Sequence, residues 1–428
     1  MSTRTFGEFK KSRFFPLIGL FLTASLIAKD RDSIPVDTGK VFQTAGRKMA
    51  AYDAATKNKN LYPNDAKGAT WTQVPPKDWV SGFYPGCLWY LYEYNREKNL
   101  SGAKKWKSLA EAWTAGLRDQ QYNTNHHDTG FVIFDSYGNG YRLTTNPAYL
   151  PVITRTAQSL SSRFVPTSGL IRSWGKIGDT NNQTVIIDNM MNLELLLWAA
   201  DHAGKTSQGC DLRKIAVSHA DRAMDHFIRS DGSTYHVVEV NPMNGKVIRK
   251  RTKQGKGDET CWSRGEAWAI YGFGTMYQYT GNPKYLTASE RAADYYVSHL
   301  PADFVPPSDF DSTLNELEFK DSSAAAVAAS ALIRLSQQVT DPAKKKKYFR
   351  VAENTLRSLT HAPYFSEDDA KASILNHAAR NYCEDPTNKM TDTGLIFGDY
   401  YLLEALLAYE HLKSSKTEST RGTPAPKP

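Results

Sequence analysis

Two kinds of helical pattern alternate along the chain. In the first kind, an aromatic residue or leucine is followed by Ala, Leu or Val at three- and four-residue spacing, which is typical of a helix with one buried face. Six segments show this pattern, and they start at Lys40, Lys104, Pro147, Cys210, Pro283 and Lys346. Because the pattern recurs over almost the whole chain, it indicates a repeated helical hairpin.

The second kind of segment lies between the first and is apolar nearly all round, which is typical of a buried helix. These segments start near Gly86, Gly130, Asn189, Arg264, Asp321 and Phe397, and the one near Gly130 is the least regular. Six exposed helices alternating with six buried ones predict an all-α fold, an (α/α)6 barrel formed by one domain over residues 35–414. The buried helices would form the inner wall, and the loops that precede them would line one mouth.

One segment departs from the helical patterns. Residues 232–252, GSTYHVVEVNPMNGKVIRKRT, place two β-branched runs on either side of an NPMNG turn. This arrangement predicts a small β-hairpin near the mouth of the barrel. No other strand pattern extends over any length.

The two ends of the chain carry patterns of their own. Lys10, Lys11 and Arg13 precede an uncharged run over residues 14–28, as in a secretory signal peptide. The run is shorter than the roughly 20 residues of a membrane-spanning helix. We therefore predict a signal peptide over residues 1–28 and a secreted or periplasmic protein, with an uncleaved N-terminal anchor as the alternative. Residues 415–428 are polar and Pro-rich, which predicts a disordered tail.

The composition of the chain narrows the classes of molecule that the protein is expected to bind. The net charge is +8, and the densest basic run is residues 246–257, which suits an anionic substrate. No nucleic-acid-binding motif accompanies the charge, so we predict no nucleic-acid partner. Aromatic residues make up 12% of the chain, which fits either a sugar-binding cleft or a large aromatic core. The four cysteines lack metal-ligand spacing, and we predict neither a metal nor a cofactor.

Two aspartates stand at the expected mouth. Asp128 in HHDTGF precedes the second inner helix, and Asp188 in IIDNMMN precedes the third. If both side chains face one cavity, their pKa values separate, and the pair becomes an acid and a base. A simpler interpretation makes Asp188 the N-cap of the following helix and Asp128 part of a turn. Spacing alone does not choose between these interpretations.

Six blocks of the sequence, taken together and in order, resemble the unsaturated glucuronyl hydrolases of glycoside hydrolase family 88. The resemblance covers roughly residues 40–412, and the blocks are DWVSGFYPGCLW (78–89), HHDTGF (126–131), IIDNMMNLELLLWAA (186–200), TKQGKGDETCWSRGEAWAIYG (252–272), KDSSAAAVAASAL (320–332) and DTGLIFGDYYLLEAL (392–406). It implies an (α/α)6 barrel. It also implies a hydrolase that removes 4,5-unsaturated uronic acid from the non-reducing end of lyase-generated oligosaccharides.

The resemblance also implies roles for single residues. Asp188 matches the general acid/base of the family, and Asp128 matches its second essential aspartate. Further positions match residues that line the sugar site, namely His127, His236, Gln254, Trp262, Arg264 and Trp268. One departure is visible, because the family commonly has Gln in RGQAW where this chain has Glu266. That carboxyl group alters substrate preference if it faces the cavity, or it lies behind the wall.

The implied chemistry requires a protonated Asp188. Its proton would go to C4 of the unsaturated sugar, and water would then add at C5. We expect burial behind Val185 to Ile187 and the charge of Asp128 to raise the pKa of Asp188. We also expect Arg249, Lys250 and Arg251 to meet an anionic leaving saccharide at the rim.

Three alternatives stay open from the sequence. The related unsaturated rhamnogalacturonyl hydrolases share the fold and the chemistry. A non-catalytic carbohydrate-binding toroid would have the same shape without needing paired aspartates. A polysaccharide lyase would use a base and an acid such as Tyr137 and His127. No pattern predicts the parent polysaccharide or an oligomeric state.

Overall fold

The structure is a computed structural model that describes residues 34–202, 211–382 and 391–421. The predicted signal peptide, Cys210 and Cys383 lie outside the described residues. From Val36 onward the described residues form one compact unit. Within it, Cys87 and Cys261 are buried free thiols.

The described residues form twelve α-helices that alternate between an outer and an inner ring. In chain order they are α1 (Thr38–Ala55), α2 (Phe83–Glu97), α3 (Ala103–Ala115), α4 (Asn139–Thr144), α5 (Tyr149–Ser161), α6 (Leu193–His202), α7 (Leu212–Phe227), α8 (Ser263–Thr280), α9 (Pro283–Ser298), α10 (Ser322–Gln338), α11 (Pro342–Leu359) and α12 (Ile396–Arg421). Helices α8, α10, α12 and α2 pack side by side in the inner ring, and α3, α9 and α11 cover them from outside. The predicted (α/α)6 barrel is confirmed.

The two rings differ in the way the sequence predicts. Helix α9 buries one stripe, which includes Tyr285, Ala288, Ala292 and Tyr296, and leaves its other face to solvent. Asn282 caps this helix by accepting a hydrogen bond from the backbone N–H of Lys284. Helix α10 is buried along nearly its whole length, and its many Ala and Ser side chains allow close packing on both neighbours.

The second inner segment begins as a π-helix over Gly130–Gly138 and continues into α4. Its first turn lies directly against the third inner segment, because a Cβ atom at Gly130 would lie only 2.5 Å from Oδ1 of Asn192. That oxygen accepts a hydrogen bond of 3.1 Å from the backbone N–H of Phe131. This close approach explains why the sequence pattern here is the least regular of the six.

Eight short strands decorate the loops of the described barrel. They are β1 (Tyr62–Lys67), β2 (Thr70–Val74), β3 (Phe164–Val165), β4 (Leu170–Ile171), β5 (Gln183–Ile186), β6 (Val237–Val240), β7 (Val247–Arg251) and β8 (Gly394–Leu395). They pair in the orders β2-β1-β8, β3-β4 and β5-β6-β7. Strands β6 and β7 are the predicted hairpin. Strand β5, which the sequence pattern did not indicate, adds an antiparallel third strand to that hairpin.

A layer of aromatic rings closes the barrel across its middle. This aromatic floor consists of Phe83, Phe131, Trp268, Phe397 and Tyr401, which come from four inner segments. Phe83 lies 5.3 Å from Phe131 and 5.9 Å from Phe397, measured between ring centroids. Trp268 lies 5.5 Å from Phe131 and 5.4 Å from Tyr401. The floor divides the interior into two chambers.

Helix α12 extends to Arg421, past residue 414 where the sequence predicts the domain to end, and residues 422–428 lie outside the described part of the chain. None of the helices within the described ranges combines the length and the hydropathy that crossing a membrane requires.

Candidate active site

A cavity of about 430 Å³ opens above the aromatic floor, at the ends where the inner helices begin. Both predicted aspartates line it, and so do Trp79, Trp174, Ile186, Lys253, Gln254, Arg264, Arg380 and Asn381. The loops that precede the inner helices therefore meet at one mouth, as the repeat pattern predicts.

Asp188 is positioned by a strand rather than by a helix cap. Strand β5 ends at Ile186, and a 3-10 helix over Ile187–Asn192 follows and leads into α6. The backbone N–H of Ile187 donates a 3.0 Å hydrogen bond to the carbonyl oxygen of His236, which extends the pairing of β5 with β6. The N-cap of the 3-10 helix is Ile186, and no side chain caps it. The capping interpretation of Asp188 is therefore wrong.

The environment of Asp188 favours its protonated form. Burial raises the pKa of this carboxyl to about 7, and the negative charge of Asp128 adds to the effect. Arg264 and Lys253 oppose the shift without cancelling it. Oxygen Oδ2 is buried and accepts no hydrogen bond from any described residue. Asp188 thus brings to the cavity a carboxyl group whose protonated form is favoured.

The environment of Asp128, in contrast, favours the ionised form of its carboxyl group. Burial alone would raise its pKa, but His127, His126 and Arg163 outweigh burial, and the pKa lies below its ordinary value. Nε2 of His127 lies 3.2 Å from Oδ1, and Nδ1 of His126 lies 3.3 Å from Oδ2. The two carboxyl groups of the cavity are therefore divided into one acid and one carboxylate.

His236 is a neutral imidazole whose tautomer is fixed by its backbone contacts. Its Nδ1 accepts hydrogen bonds from the backbone N–H groups of Lys253 and Gln254, at 3.2 and 3.3 Å. Burial, together with the charges of Arg264 and Lys253, holds the pKa of His236 well below its ordinary value. Because Nδ1 is an acceptor, the ring proton resides on Nε2, which lies 3.8 Å from Oδ2 of Asp188.

Arg264 and Gln254 hold the backbone of a loop against the cavity. Arg264 is fully buried and donates 2.6 Å bonds to Asp321 and to the carbonyl oxygen of Ala379, and a 2.7 Å bond to that of Arg380. The Gln254 amide donates to the same Arg380 carbonyl at 3.0 Å. These bonds bring the side chain of Arg380 to the cavity, where its Nη1 also lies 3.0 Å from Oδ1 of Asp65.

Four residues that the sequence predicts in the sugar site do not line the cavity, and His236, described above, is one of them. Trp268 belongs to the aromatic floor and is packed between Phe131 and Tyr401. Trp262 stacks beneath His236 at 4.4 Å and beneath the guanidinium of Arg264 at 4.6 Å. His127 is fully buried beside Asp128. Their effect on the cavity passes through the side chains that they support.

The basic run meets the cavity at a different residue from those expected. Arg249 and Arg251 both bind the carboxylate of Glu239, through Nε at 2.6 and 2.8 Å. Lys250 lies over the ring of Tyr235, outside the cavity. Lys253 is the member of this run that lines the cavity, with its ammonium 4.4 Å from the ring of Trp174. The cross-strand register of Arg249 with Glu239 could have signalled this pairing from the hairpin sequence.

Glu266 lies behind the wall and does not face the cavity. One carboxyl oxygen accepts a 2.7 Å hydrogen bond from the hydroxyl of Thr234 and one of 3.3 Å from the thiol of Cys261. The other oxygen is buried and has no partner among the described residues. Burial raises the pKa of Glu266 to about 8, so the group is neutral at physiological pH and resembles the amide of glutamine.

Comparison with known proteins assigns the family. The model of Glycosyl Hydrolase Family 88 matches residues 46–404. The chain belongs to Glycosyl Hydrolase Family 88. The predictions of this family, of its fold and of a glycosidase that acts on unsaturated uronic acid are confirmed, so a non-catalytic toroid and a lyase are no longer favoured.

Several characterised family members are similar over most of their length. An unsaturated glucuronyl hydrolase of Formosa agariphila is 39% identical over 79% of this chain and 82% of its own. An unsaturated chondroitin disaccharide hydrolase of Streptococcus pyogenes serotype M1 is 30% identical over 78% of this chain and 81% of its own. A crystal structure of an unsaturated glucuronyl hydrolase specific for heparin superposes with a TM-score of 0.79 at 36% identity, covering 88% of this chain and 98% of that one.

Replacing Glu266 with glutamine tests its neutral state. The proton on buried Glu266 contributes stability that is complete below the ordinary pKa of 4.5 and is lost as the pH rises through about 8. Glutamine does not titrate, so the stability of Glu266→Gln relative to the wild type should rise by about 4 kcal/mol in free energy of unfolding from pH 5 to pH 9. Chemical denaturation of both proteins at each pH measures this difference. A difference that is the same at both pH values would contradict the assignment.

Proposed function

We propose that this family member uses Asp188 as its general acid and base and Asp128 as a fixed negative charge in releasing 4,5-unsaturated uronic acid from oligosaccharides. The observation that carries this proposal is the contrast within one cavity, where burial raises the pKa of Asp188 to about 7 while the neighbours of Asp128, among them His126, lower the pKa of that carboxyl. A single residue that first donates and then accepts a proton needs a pKa near the working pH.

The reaction proceeds in balanced steps. The proton of Asp188 moves to C4 of the vinyl ether, and the C4=C5 double bond becomes an oxocarbenium ion shared by C5 and the ring oxygen. Water adds at C5 and returns a proton to Asp188. The resulting hemiketal opens to a ketone at C5 and a hemiacetal at C1. The hemiacetal expels the remaining saccharide as an alcohol, so the glycosidic carbon is never attacked directly, unlike in the usual two-carboxylate scheme.

Asp128 and His236 act at the charged stage of this sequence. The carboxylate of Asp128 stabilises the positive charge that develops at C5, because both groups are removed from bulk water. Once Asp188 has lost its proton, the Nε2–H of His236 points at the new carboxylate from 3.8 Å. Moving together by less than one ångström would complete a hydrogen bond that exists only after proton transfer.

The cations of the cavity favour an anionic substrate. Three cations, Lys253, Arg264 and Arg380, line this cavity beside the carboxyl groups of Asp128 and Asp188. The substrate always carries the uronic carboxylate, and Arg264 is already engaged by Asp321 and two carbonyl groups. Arg380 is likewise paired with Asp65, so Lys253 is the cation that we assign to an anionic leaving saccharide, as in fragments of chondroitin or heparin, on which the relatives named above act.

We also propose that the protein acts outside the cytoplasm. The proposal is supported by the basic residues and the uncharged run over residues 10–28. N-terminal sequencing of the protein from its native compartment tests the export and the cleavage together.

Asp188→Asn should abolish turnover. Asparagine keeps the size of the side chain but cannot donate the proton, so kcat should fall about 1,000-fold or more. Loss of the ultraviolet absorbance of the conjugated double bond in an unsaturated disaccharide follows the reaction. The control is Asp225→Asn, the same change on the exposed face of α7, which should leave kcat unaltered. Near-normal turnover of the Asp188 variant would exclude its role.

Asp128→Asn should shift the pH dependence of the residual activity. Asp128 raises the pKa of Asp188, so its neutralisation should lower that pKa from about 7 and move the alkaline limb of kcat/KM to lower pH. The measurement is the pH profile of kcat/KM for the wild type and the variant on one substrate. A limb that stays in place would show that the two groups do not interact.

Lys253→Met should weaken recognition of the leaving saccharide rather than the chemistry. KM for a disaccharide with a sulfated leaving sugar should rise about 10-fold relative to its unsulfated counterpart. The matched control is Lys250→Met, which alters the same basic run outside the cavity and should not change this ratio. Equal effects of the two variants would contradict the assignment of Lys253.

A further inference from the structure

A second and larger chamber, of about 670 Å³, lies below the aromatic floor. Its lining residues follow the floor residues along the same inner segments. Asp135 comes after Phe131, Tyr271 after Trp268, and Glu404 after Tyr401. Because all inner segments start at the catalytic mouth, this chamber belongs to the opposite end of the barrel. It contains charged groups that the proposed reaction does not use.

Two of the four carboxyl groups in this lower chamber are matched by arginines. Arg142 binds Glu93 with both of its terminal nitrogens, at 2.6 Å each. Arg334 binds Oε1 of Glu404, which also accepts hydrogen bonds from the hydroxyls of Tyr271 and Ser330 at 2.8 and 2.9 Å. In each of these two pairs, the positive charge of the arginine balances the negative charge of the carboxylate.

The other two carboxyl groups, Asp135 and Glu194, form no ion pair among the described residues, although the charge of Arg334 acts on both in the direction that lowers their pKa values. Oδ2 of Asp135 is buried in the chamber wall and has no hydrogen-bond partner there. Glu194 accepts a 3.2 Å bond from the hydroxyl of Tyr279 and forms no ion pair within the described chain. Burial, followed by the charges of Glu404 and Glu194, raises the pKa of Asp135 well above its ordinary value. Burial is also the largest cause of the raised pKa of Glu194.

The walls of the lower chamber suit a cation with an apolar body. The guanidinium of Arg334 already lies over the ring of Tyr271, 4.4 Å from its centroid. Trp198 packs edge-on against Phe134 and Tyr141, and all three rings line the chamber. No set of three or more His, Cys, Asp or Glu side chains in the described ranges is arranged to hold a metal ion. Aromatic faces and separated carboxyl groups therefore favour an organic cation.

We propose that the lower chamber is a second binding site, separate from the catalytic cavity, for a small aliphatic amine whose ammonium group pairs with Asp135 and Glu194. The volume lies within the range of small-molecule sites, roughly 300–1,000 Å³. The aromatic rings would contact the aliphatic part of such a ligand. The proposal stands on the chamber itself and does not depend on the mechanism assigned to Asp188.

Titration calorimetry of the full-length protein with 1,4-diaminobutane at pH 7 tests the site. We expect saturable binding of one diamine per chain and no binding of 1,4-butanediol, which has the same carbon chain without the charges. Since neutral carboxyl groups must ionise to pair with an ammonium group, binding should release protons. The observed heat should therefore vary with the ionisation enthalpy of the buffer. Absence of saturable binding, or binding without proton release, would overturn the proposal.

Variants locate the site within the chain. Asp135→Asn and Glu194→Gln should each weaken diamine binding at least about 10-fold, the loss expected for one charged contact. Glu318→Gln, which changes an exposed carboxylate that does not line the chamber, serves as the control and should bind as the wild type does. Retained hydrolase activity shows that each variant is folded. Unchanged binding in both folded chamber variants would place the diamine elsewhere. If either variant fails to fold, the release of protons when the wild type binds the diamine still tests the proposal.

Discussion

The buried ion pair between Arg264 and Asp321 holds the catalytic mouth together. Both side chains are almost entirely removed from solvent, so neither charge is tolerated without the other. Asp321 also caps α10 by accepting from the backbone N–H groups of Ser323 and Ala324. Arg264 in turn binds the carbonyl groups of Ala379 and Arg380. One pair thus joins α8, α10 and the loop that carries Arg380. Replacing either residue would leave an uncompensated charge where three elements meet.

The two aspartates show how one fold makes two kinds of carboxyl group. Asp128 and Asp188 share a cavity and are both buried, so desolvation acts on both in the same direction. The difference comes from neighbours within hydrogen-bonding distance. Two imidazoles lie 3.2 and 3.3 Å from Asp128, and the pKa of the His126 ring is raised whereas burial lowers that of His127 to about 4. The imidazole nearest Asp188 also has a lowered pKa, and it stands 3.8 Å away. The assignment of acid and base therefore rests on the histidines as much as on the aspartates.

Periodicity predicted the barrel because helix-forming patterns are local. The same patterns placed Asp128 and Asp188 at one mouth, since a hairpin repeat puts equivalent loops at the same end. They failed at Asp188 itself, where Val185 to Ile187 read as the approach to a helix. In the structure this run is strand β5 and its continuation, and its partner β6 lies more than 50 residues away in the chain. This pairing depends on the tertiary structure, and a short stretch of sequence does not contain the information that predicts it.

The loop that carries Arg380 was also beyond prediction from the sequence. Its residues show no periodic pattern, and they reach the cavity through bonds from Arg264 and Gln254 to backbone carbonyl groups. Every residue has a backbone carbonyl group, so the sequence does not show which of these groups accepts a hydrogen bond. Trp262 and Trp268 illustrate the converse, because large aromatic residues in a matching motif suggest a sugar platform. In this chain they support the wall and the floor from behind.

The aromatic floor gives the barrel an electrical property as well as a mechanical one. The groups that shift the pKa of Asp188 lie on the catalytic side of the rings, and those that shift the pKa of Asp135 lie on the other side. The layer of rings keeps these two sets of groups apart, so each carboxyl group responds to its own neighbours and the two ends can hold different numbers of protons at the same pH. Substitutions on one side of the floor can then occur without changing the pKa values of the groups on the other side. The ionisable groups at the two ends of the barrel can therefore change independently, although the same inner helices carry both sets.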